Sequence, residues 1–382
     1  MNGGNTTKDG LLSLVEAQHR VQDRYADIKR LGGHGGHGNF SLIFTATDTH
    51  TGETVVLKVF HPFEREQYRW ESFKRESAVL ELLKGKEGII GLISPIAQFT
   101  QVLEVEPHKI KIPVDFSYYV VEQADGDVEE TIEAAKADTE EKLLIFRQMC
   151  KAVQRIHVAR VVHRDLKPGN FLVMRDGTIR LSDFGTARLI EDSSKPILDD
   201  YAGIPPGDIR YTAPEIISSL HDITPHFAFK GDIFSLGATL FELFTGTVLG
   251  NQLFDAQFQE DLLQHMAVIP RDKRREAYDG FITQMADSRL LPNIDAYAPS
   301  VRRCVLPIIN DLYKSMAALD YSKRTGDFEY VFLKIQQALI VLRNEDKLRK
   351  WRERRDVCRQ NLEFKREALK VRFALARTGE KL

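Results

Sequence analysis

The chain has 382 residues, 43% hydrophobic and 28% charged, so it can bury a real core and has the length of one large two-lobed domain or two ordinary ones. Its formal net charge of −2 singles out no partner, but residues 343–382 carry 14 Lys+Arg against 7 Asp+Glu, which leaves a mildly acidic body and a basic tail. Cys150, Cys304 and Cys358 lie far apart without a CxxC pair, no stretch of roughly 18 apolar residues occurs, and no basic-then-apolar leader is found; these features argue against a disulfide framework, a zinc cluster, a membrane span and secretion, and lead us to expect a cytoplasmic protein.

Residues 1–10 are polar and expected to be disordered, and a weak helical pattern runs from Leu11 to about Tyr25. YADIKRLG (25–32), SLIFTATD (41–48) and ETVVLKVF (53–60) read as strands separated by turn residues. Trp70, Phe73, Val79, Leu80 and Leu83 recur at helical spacing in residues 67–85, and Gly85 closes that helix. GLISPIAQF and SYYVVEQ read as two further strands; beyond Gly126 helical segments such as 142–162 dominate. A strand-rich small lobe followed by a helix-rich large lobe is the expected architecture, with no internal repeat.

Between the first two strands, GGHGGHGNFS (32–41) packs glycines around His34 and His37. Two histidines without a third ligand make a poor metal site. Glycines at this density suit a loop whose amides lie over phosphates.

The most informative stretch is VVHRDLKPGNFLVMRDGTIRLSDFGTAR (161–188). It offers a carboxylate at Asp165, an ammonium at Lys167, an amide at Asn170 and a second carboxylate at Asp183. FLVM and TIRLS flank an RDG turn and predict a hairpin that could bring Asn170 and Asp183 to one site. Oxygen donors of this kind suit Mg²⁺, which takes one or two carboxylates and leaves its other positions to water and phosphate.

These residues resemble a eukaryotic-type (Hanks-type) serine/threonine protein kinase: HRDLKPGN the catalytic loop, DFG (183–185) the magnesium loop, and YTAPE (211–215) the end of the activation segment. VVLK resembles the nucleotide-lysine strand, with Glu76 as the partner of Lys58; DIFSLG (232–237) resembles the helix start that supports the catalytic loop, and Arg324 the arginine that pairs with Glu215. The resemblance spans about 25–342, in family order, and implies a bilobal α+β kinase-like fold: an extension (1–24), a small lobe (about 25–124), a large lobe (about 125–342) and a basic helical tail (343–382).

The implied activity is transfer of the ATP γ-phosphate to Ser/Thr hydroxyls of protein substrates, including autophosphorylation; the alternative is a pseudokinase scaffold signalling through its large-lobe insert and helical tail. By the same resemblance Asp165 and Lys167 are catalytic, Asn170 and Asp183 hold Mg²⁺, and Lys58, positioned by Glu76, contacts the ATP phosphates. Gly36, Gly38 and Ser41 take the positions of the loop glycines, with Phe40 at the tip; Leu31, Ile43, Val56 and Leu172 enclose adenine, Val121 guards the back of the pocket, and the Glu122 and Ala124 backbones bond the base.

One departure from the family pattern is Asp208, where threonine is usual; its carboxylate is expected to repel Asp165. Arg164 suggests a basic pocket for an activation-segment phosphate, with Ser193, Ser194, Tyr201 and Thr212 as candidates beside acidic Glu191, Asp192, Asp199 and Asp200. Helical material at 256–267 and 271–285 reads as an extension of the core rather than a docking insert. Leu348, Trp351, Cys358, Leu362, Leu369, Phe373 and Ala376 recur in steps of three, four or seven, an amphipathic tail helix expected to pack on the body or pair with a partner helix rather than bind nucleic acid or membrane.

Overall fold

A computed structural model describes residues 8–31, 41–64, 66–105, 108, 110–134, 137–190, 207–217, 225–253, 264–266, 268–270, 273–288, 291–299 and 301–378. The small lobe is built on a six-stranded antiparallel sheet in the order β1-β2-β3-β4-β6-β5. Its strands are β1 (Arg20–Val21), β2 (Tyr25–Arg30), β3 (Ser41–Asp48), β4 (Thr54–Phe60), β5 (Leu92–Val105) and β6 (Ile110–Glu122).

Side chains alternate across the sheet, and the alternation assigns each face its task. Leu42, Phe44, Val55, Leu57 and Val59 point to an outer core. There they meet Leu11, Leu12 and Val15 of α1 (Lys8–Glu16). The opposite face presents Ile43, Val56, Lys58, Tyr119 and Val121, brought side by side by the pairs Ile43↔Lys58, Lys58↔Tyr119 and Val56↔Val121. Helix α2 (Gln67–Leu82) covers part of that inner face and buries Phe73, Glu76, Val79 and Leu80.

The ordered start at Lys8 differs from the disorder expected over 1–10; of that stretch, 1–7 lie outside the described residues. Three large apolar side chains buried on the sheet stabilise so short a helix, which would not hold alone. β5 and β6 also run further than their apolar patterns indicated. The first half of β6 is largely exposed, so its sequence carries no core signature there.

The large lobe follows β7 (Gly126–Asp127) and α3 (Val128–Glu133). Helix α4 (Thr139–Val158) begins with a capping box in which Asp138 accepts from Glu141 N–H and Glu141 accepts from Asp138 N–H. Next come β8 (Val161–Val162), β9 (Phe171–Val173), β10 (Ile179–Leu181), β11 (Arg188–Leu189) and α5 (Pro214–Ile217). Helix α6 (Pro225–Thr245) is buried on nearly all sides through Ile233, Phe234, Leu236, Leu240 and Phe241, as befits the centre of a lobe. Around it lie α7 (Leu249–Leu253), α8 (Arg274–Ser288), α9 (Leu306–Met316) and α10 (Phe328–Arg343).

Two sequence expectations are sharpened here. Helix α8 buries Tyr278 and Ile282, so 274–288 extends the core. The tail is a single helix, α11 (Glu345–Thr378), and three of its described apolar side chains, Trp351, Leu362 and Phe364, are 57%, 61% and 77% exposed.

Candidate active site

A cleft of about 400 Å³ opens between the lobes. Leu31, Ile43, Val56 and Val121 form its small-lobe wall, Glu122 and Ala124 line the connecting segment, and Leu172 closes it from the large lobe. Asp125 N–H donates to Val173 O at 2.9 Å and Glu122 N–H to Gly91 O at 3.0 Å, so the connection is held on both sides of Ala124. Gly36 and Gly38, with His34 and His37, lie outside the described residues; Ser41 is the first residue of β3.

Lys58 Nζ meets Glu76 Oε1 at 2.6 Å. Burial, the largest influence on the Lys58 ammonium, favours its neutral form, but the charges of Glu76 and Asp183 outweigh it and the pKa is raised. The pair depends on the placement of α2, which is fastened from below. Ser72 Oγ and Arg75 Nη1 both donate to Gly185 O, at 2.9 and 2.6 Å. Neither Ser72 nor Arg75 stood out in sequence, because they act on a main-chain carbonyl of another segment.

The β9–β10 hairpin forms as its turn residues dictate. Thr178 N–H donates to Asp176 Oδ1 at 2.9 Å, and Phe171 pairs with Leu181. At its open end Ser182 N–H donates to Asn170 O at 2.9 Å. The hairpin thus sets Asn170 and Asp183 along one cleft with Lys58 and Lys167. Asp183 sits in the left-handed region (φ 59°, ψ 63°), a conformation that costs energy for a non-glycine residue. The following Phe184 is fully buried and packs its ring 5.0 Å from that of His163, which holds Ser182 O through Nε2 at 2.9 Å.

The loop carrying Asp165 hangs from a buried carboxylate. Asp232 accepts from the N–H groups of His163 and Arg164, both at 2.9 Å, and from His157 Nε2 at 2.9 Å. Burial works against ionisation of Asp232, but the hydrogen bonds from His157 and the His163 N–H and the nearness of those two imidazoles prevail, and its pKa is lowered.

Asp165 itself is 7% exposed. Its Oδ2 lies 3.2 Å from both Lys167 Nζ and Asn170 Nδ2, and its Oδ1 accepts from Asp208 N–H at 2.8 Å. Asn170 spends its amide N–H groups on Asp165 O (2.7 Å) and Oδ2, which leaves its amide oxygen as the group a hard cation could use. Among the described residues no three His, Cys, Asp or Glu side chains converge as a metal cluster. Asp183 and Asn170 both line the cleft and offer oxygen atoms of the kind a hard cation takes.

Asp208 corrects an expectation. Its carboxylate turns away from Asp165 and onto Arg210, with Arg210 Nη2 at 2.6 Å and Nε at 3.0 Å. Burial would raise its pKa, but the Arg210 hydrogen bonds and charge lower it. What reaches Asp165 is the Asp208 main chain, and Gly207 permits the approach. At φ 87°, a Cβ on Gly207 would lie 2.5 Å from Arg164 O and 2.9 Å from Asp165 Oδ1. The sequence signal for this was the Gly-Asp pair itself.

The activation-segment candidates Ser193, Ser194 and Tyr201 lie outside the described residues. Thr212, the fourth candidate, is buried and its hydroxyl donates to Asp208 O at 2.9 Å, so it is a structural residue. Arg164 Nε donates to Thr186 O at 2.8 Å. Further down, Glu215 and Arg324, both buried, form a two-pronged ion pair; Arg324 also donates to Ala318 O at 2.9 Å and Lys230 O at 2.9 Å.

Residues 30–337 match the family model for the protein kinase domain. The chain belongs to the protein kinase family. It is 29% identical over 324 residues to mitogen-activated protein kinase 15 of Rattus norvegicus, covering 82% of this chain and 54% of that one. It is 31% identical over 256 residues to extracellular signal-regulated kinase 2 of Dictyostelium discoideum (63% and 62%). A probable serine/threonine-protein kinase of Corynebacterium efficiens is 30% identical over 229 residues (59% and 31%). The chain thus spans about half the length of the mammalian relative. No helix among the described residues of this kinase is long and apolar enough to cross a membrane.

Proposed function

We propose that this kinase transfers the γ-phosphate of ATP to serine and threonine hydroxyls of protein substrates. The observation that carries the reading is the convergence of Lys58, Asp165, Lys167, Asn170 and Asp183, with Lys58 held by Glu76 at 2.6 Å. Phosphoryl transfer needs positioned charge more than covalent help. Asp165, fixed from Lys167, Asn170 and Asp208, orients the acceptor hydroxyl and takes its proton. Lys167 stays charged: burial opposes this, but the charges of Asp165 and Asp183 raise its pKa, so it can neutralise the transferring group. Lys58 aligns the phosphates, and the apolar walls from Leu31 to Leu172 hold adenine. Asn170 and Asp183 would hold Mg²⁺, which when bound supplies positive charge to the phosphate oxygens.

A pseudokinase scaffold would not need all of these groups in register, so the assembled set favours catalysis. The setting we assign is the cytoplasm, with protein substrates and no specific nucleic acid. Incubation with γ-labelled ATP and Mg²⁺, alone and with a generic basic protein, followed by phosphoamino-acid analysis, tests the reading. Labelled serine or threonine supports it; nucleotide binding without any transfer would favour the scaffold.

A further inference from the structure

A second hollow, of about 730 Å³, lies between the loop after α2, the face of α4 bearing Gln148, Lys151 and Arg155, and the β9–β10 turn. It shares only Glu122 with the nucleotide cleft and so is a separate site behind the connecting segment. Both lobes build it, fastened where Ile90 N–H donates to Leu181 O at 3.0 Å and Leu181 N–H to Gly88 O at 2.8 Å.

Its lining is rich in cations: Lys84, Lys86, Lys151, Arg155 and Arg180. The carboxylates beside them are engaged. Glu87 is bound by Arg155, and Glu122 by Arg180 and by Gly91 N–H at 2.8 Å. Asp176 accepts from both the N–H and the hydroxyl of Thr178, at 2.9 and 2.6 Å. Gly91 matters here, since a Cβ on it would lie 2.6 Å from the Glu122 carboxyl carbon and dislodge that clamp. Lys84 has only the distant, exposed Glu81 at 3.5 Å, a pair of little energetic weight. Lys86 and Lys151 have no carboxylate partner among the described residues.

The body outside the tail is acidic, so this is a local positive field on a surface of opposite sign. The hollow has a buried apolar floor of Ile89, Leu92 and Ile179. Its volume exceeds what a single phosphate fills, and apolar floor with cationic rim fits alternating apolar and acidic side chains.

We propose that this hollow docks an acidic peptide segment of a partner protein, with Lys86 and Lys151 as the principal charge contacts. The inference stands apart from phosphotransfer, because it concerns binding at a site away from the cleft. The test is fluorescence anisotropy of a short fluorescein-labelled peptide of alternating Glu and Leu with the full chain. We expect salt-sensitive binding that weakens at least roughly tenfold in Lys86→Glu/Lys151→Glu, while Lys347→Glu/Lys350→Glu on the basic tail retains it. Thermal unfolding confirms that the first variant is folded; if it is not, Lys86→Ala/Lys151→Ala takes its place. No binding by wild type, equal binding by the Lys86/Lys151 variant, or loss in the tail variant overturns the proposal. Displacement of the peptide by inorganic phosphate beyond a matched sodium chloride control also overturns it, since the hollow would then be a small-anion site.

Discussion

Asp208 holds Asp165 by its backbone and Arg210 by its carboxylate: the N–H donates to Asp165 Oδ1 at 2.8 Å, and the side chain grips the guanidinium at 2.6 Å. The residue that looked like an electrostatic intruder is thereby a positioning device with its charge neutralised. Asp208→Ala keeps the amide and loses only the Arg210 clamp, so we expect a modest loss of kcat, within about tenfold. Gly207→Ala forces a Cβ against Arg164 O and should cost much more while the fold survives. Steady-state kinetics of the two variants beside thermal unfolding curves checks this ordering; the reverse ordering would mean that the carboxylate, not the amide, serves Asp165.

Lys58→Met removes the ammonium from the 2.6 Å pair with Glu76 but leaves Val56, Val121 and Leu172 around the base. Turnover should fall roughly 10²-fold or more while nucleotide affinity changes far less. Calorimetric titration with a non-hydrolysable ATP analogue, set against turnover at saturation, separates the two. Lost affinity with normal turnover would assign Lys58 the wrong task.

Glu242 is 6% exposed and accepts from Tyr211 OH at 2.7 Å. Burial raises its pKa; the Tyr211 hydrogen bond opposes this, Glu129 and Asp208 add to it, and the result is about 7 against an ordinary 4.5. The folded state therefore holds a proton that the unfolded chain releases between those values. The sign is that stability falls as pH rises from about 4.5 to about 7, by roughly 1.4 kcal/mol per pH unit at most, and levels off above. Urea unfolding across that window should show a shallower slope in Glu242→Gln than in wild type. Parallel slopes would remove Glu242 as the titrating group.

Glu215→Ala leaves Arg324 buried with its charge uncompensated, although Ala318 O and Lys230 O still accept from it. The expected loss is about 3–5 kcal/mol. Replacing both partners with apolar residues should cost less than the single change, and a urea-unfolding double-mutant cycle measures the difference.

The parts legible in sequence are those written in side-chain period. Alternation over 41–48 and 53–60 put Lys58 on the same face as Val56, and the RDG turn set the hairpin that aligns Asn170 with Asp183. What escaped is written in the main chain or in solvent. The Ser72 and Arg75 contacts end on Gly185 O, a main-chain acceptor that the identities of Ser72 and Arg75 do not point to, and Gly207 is visible as a glycine while its reason, the approach to Arg164 O, is not. The tail has helical spacing, yet Trp351 and Leu362 are exposed. Thr212 looked like an accessible hydroxyl and is a buried donor to Asp208 O.

The central claim is that the cleft around Asp165 performs phosphoryl transfer. It is met most directly by measuring Mg²⁺-dependent transfer of labelled γ-phosphate to a protein substrate by wild type and Asp165→Ala side by side, with circular dichroism to show that both are folded. The account predicts labelling by wild type and a loss of about 10²-fold or more in the variant. Equal labelling by the two, or none by the folded wild type with nucleotide and Mg²⁺ bound, would contradict it.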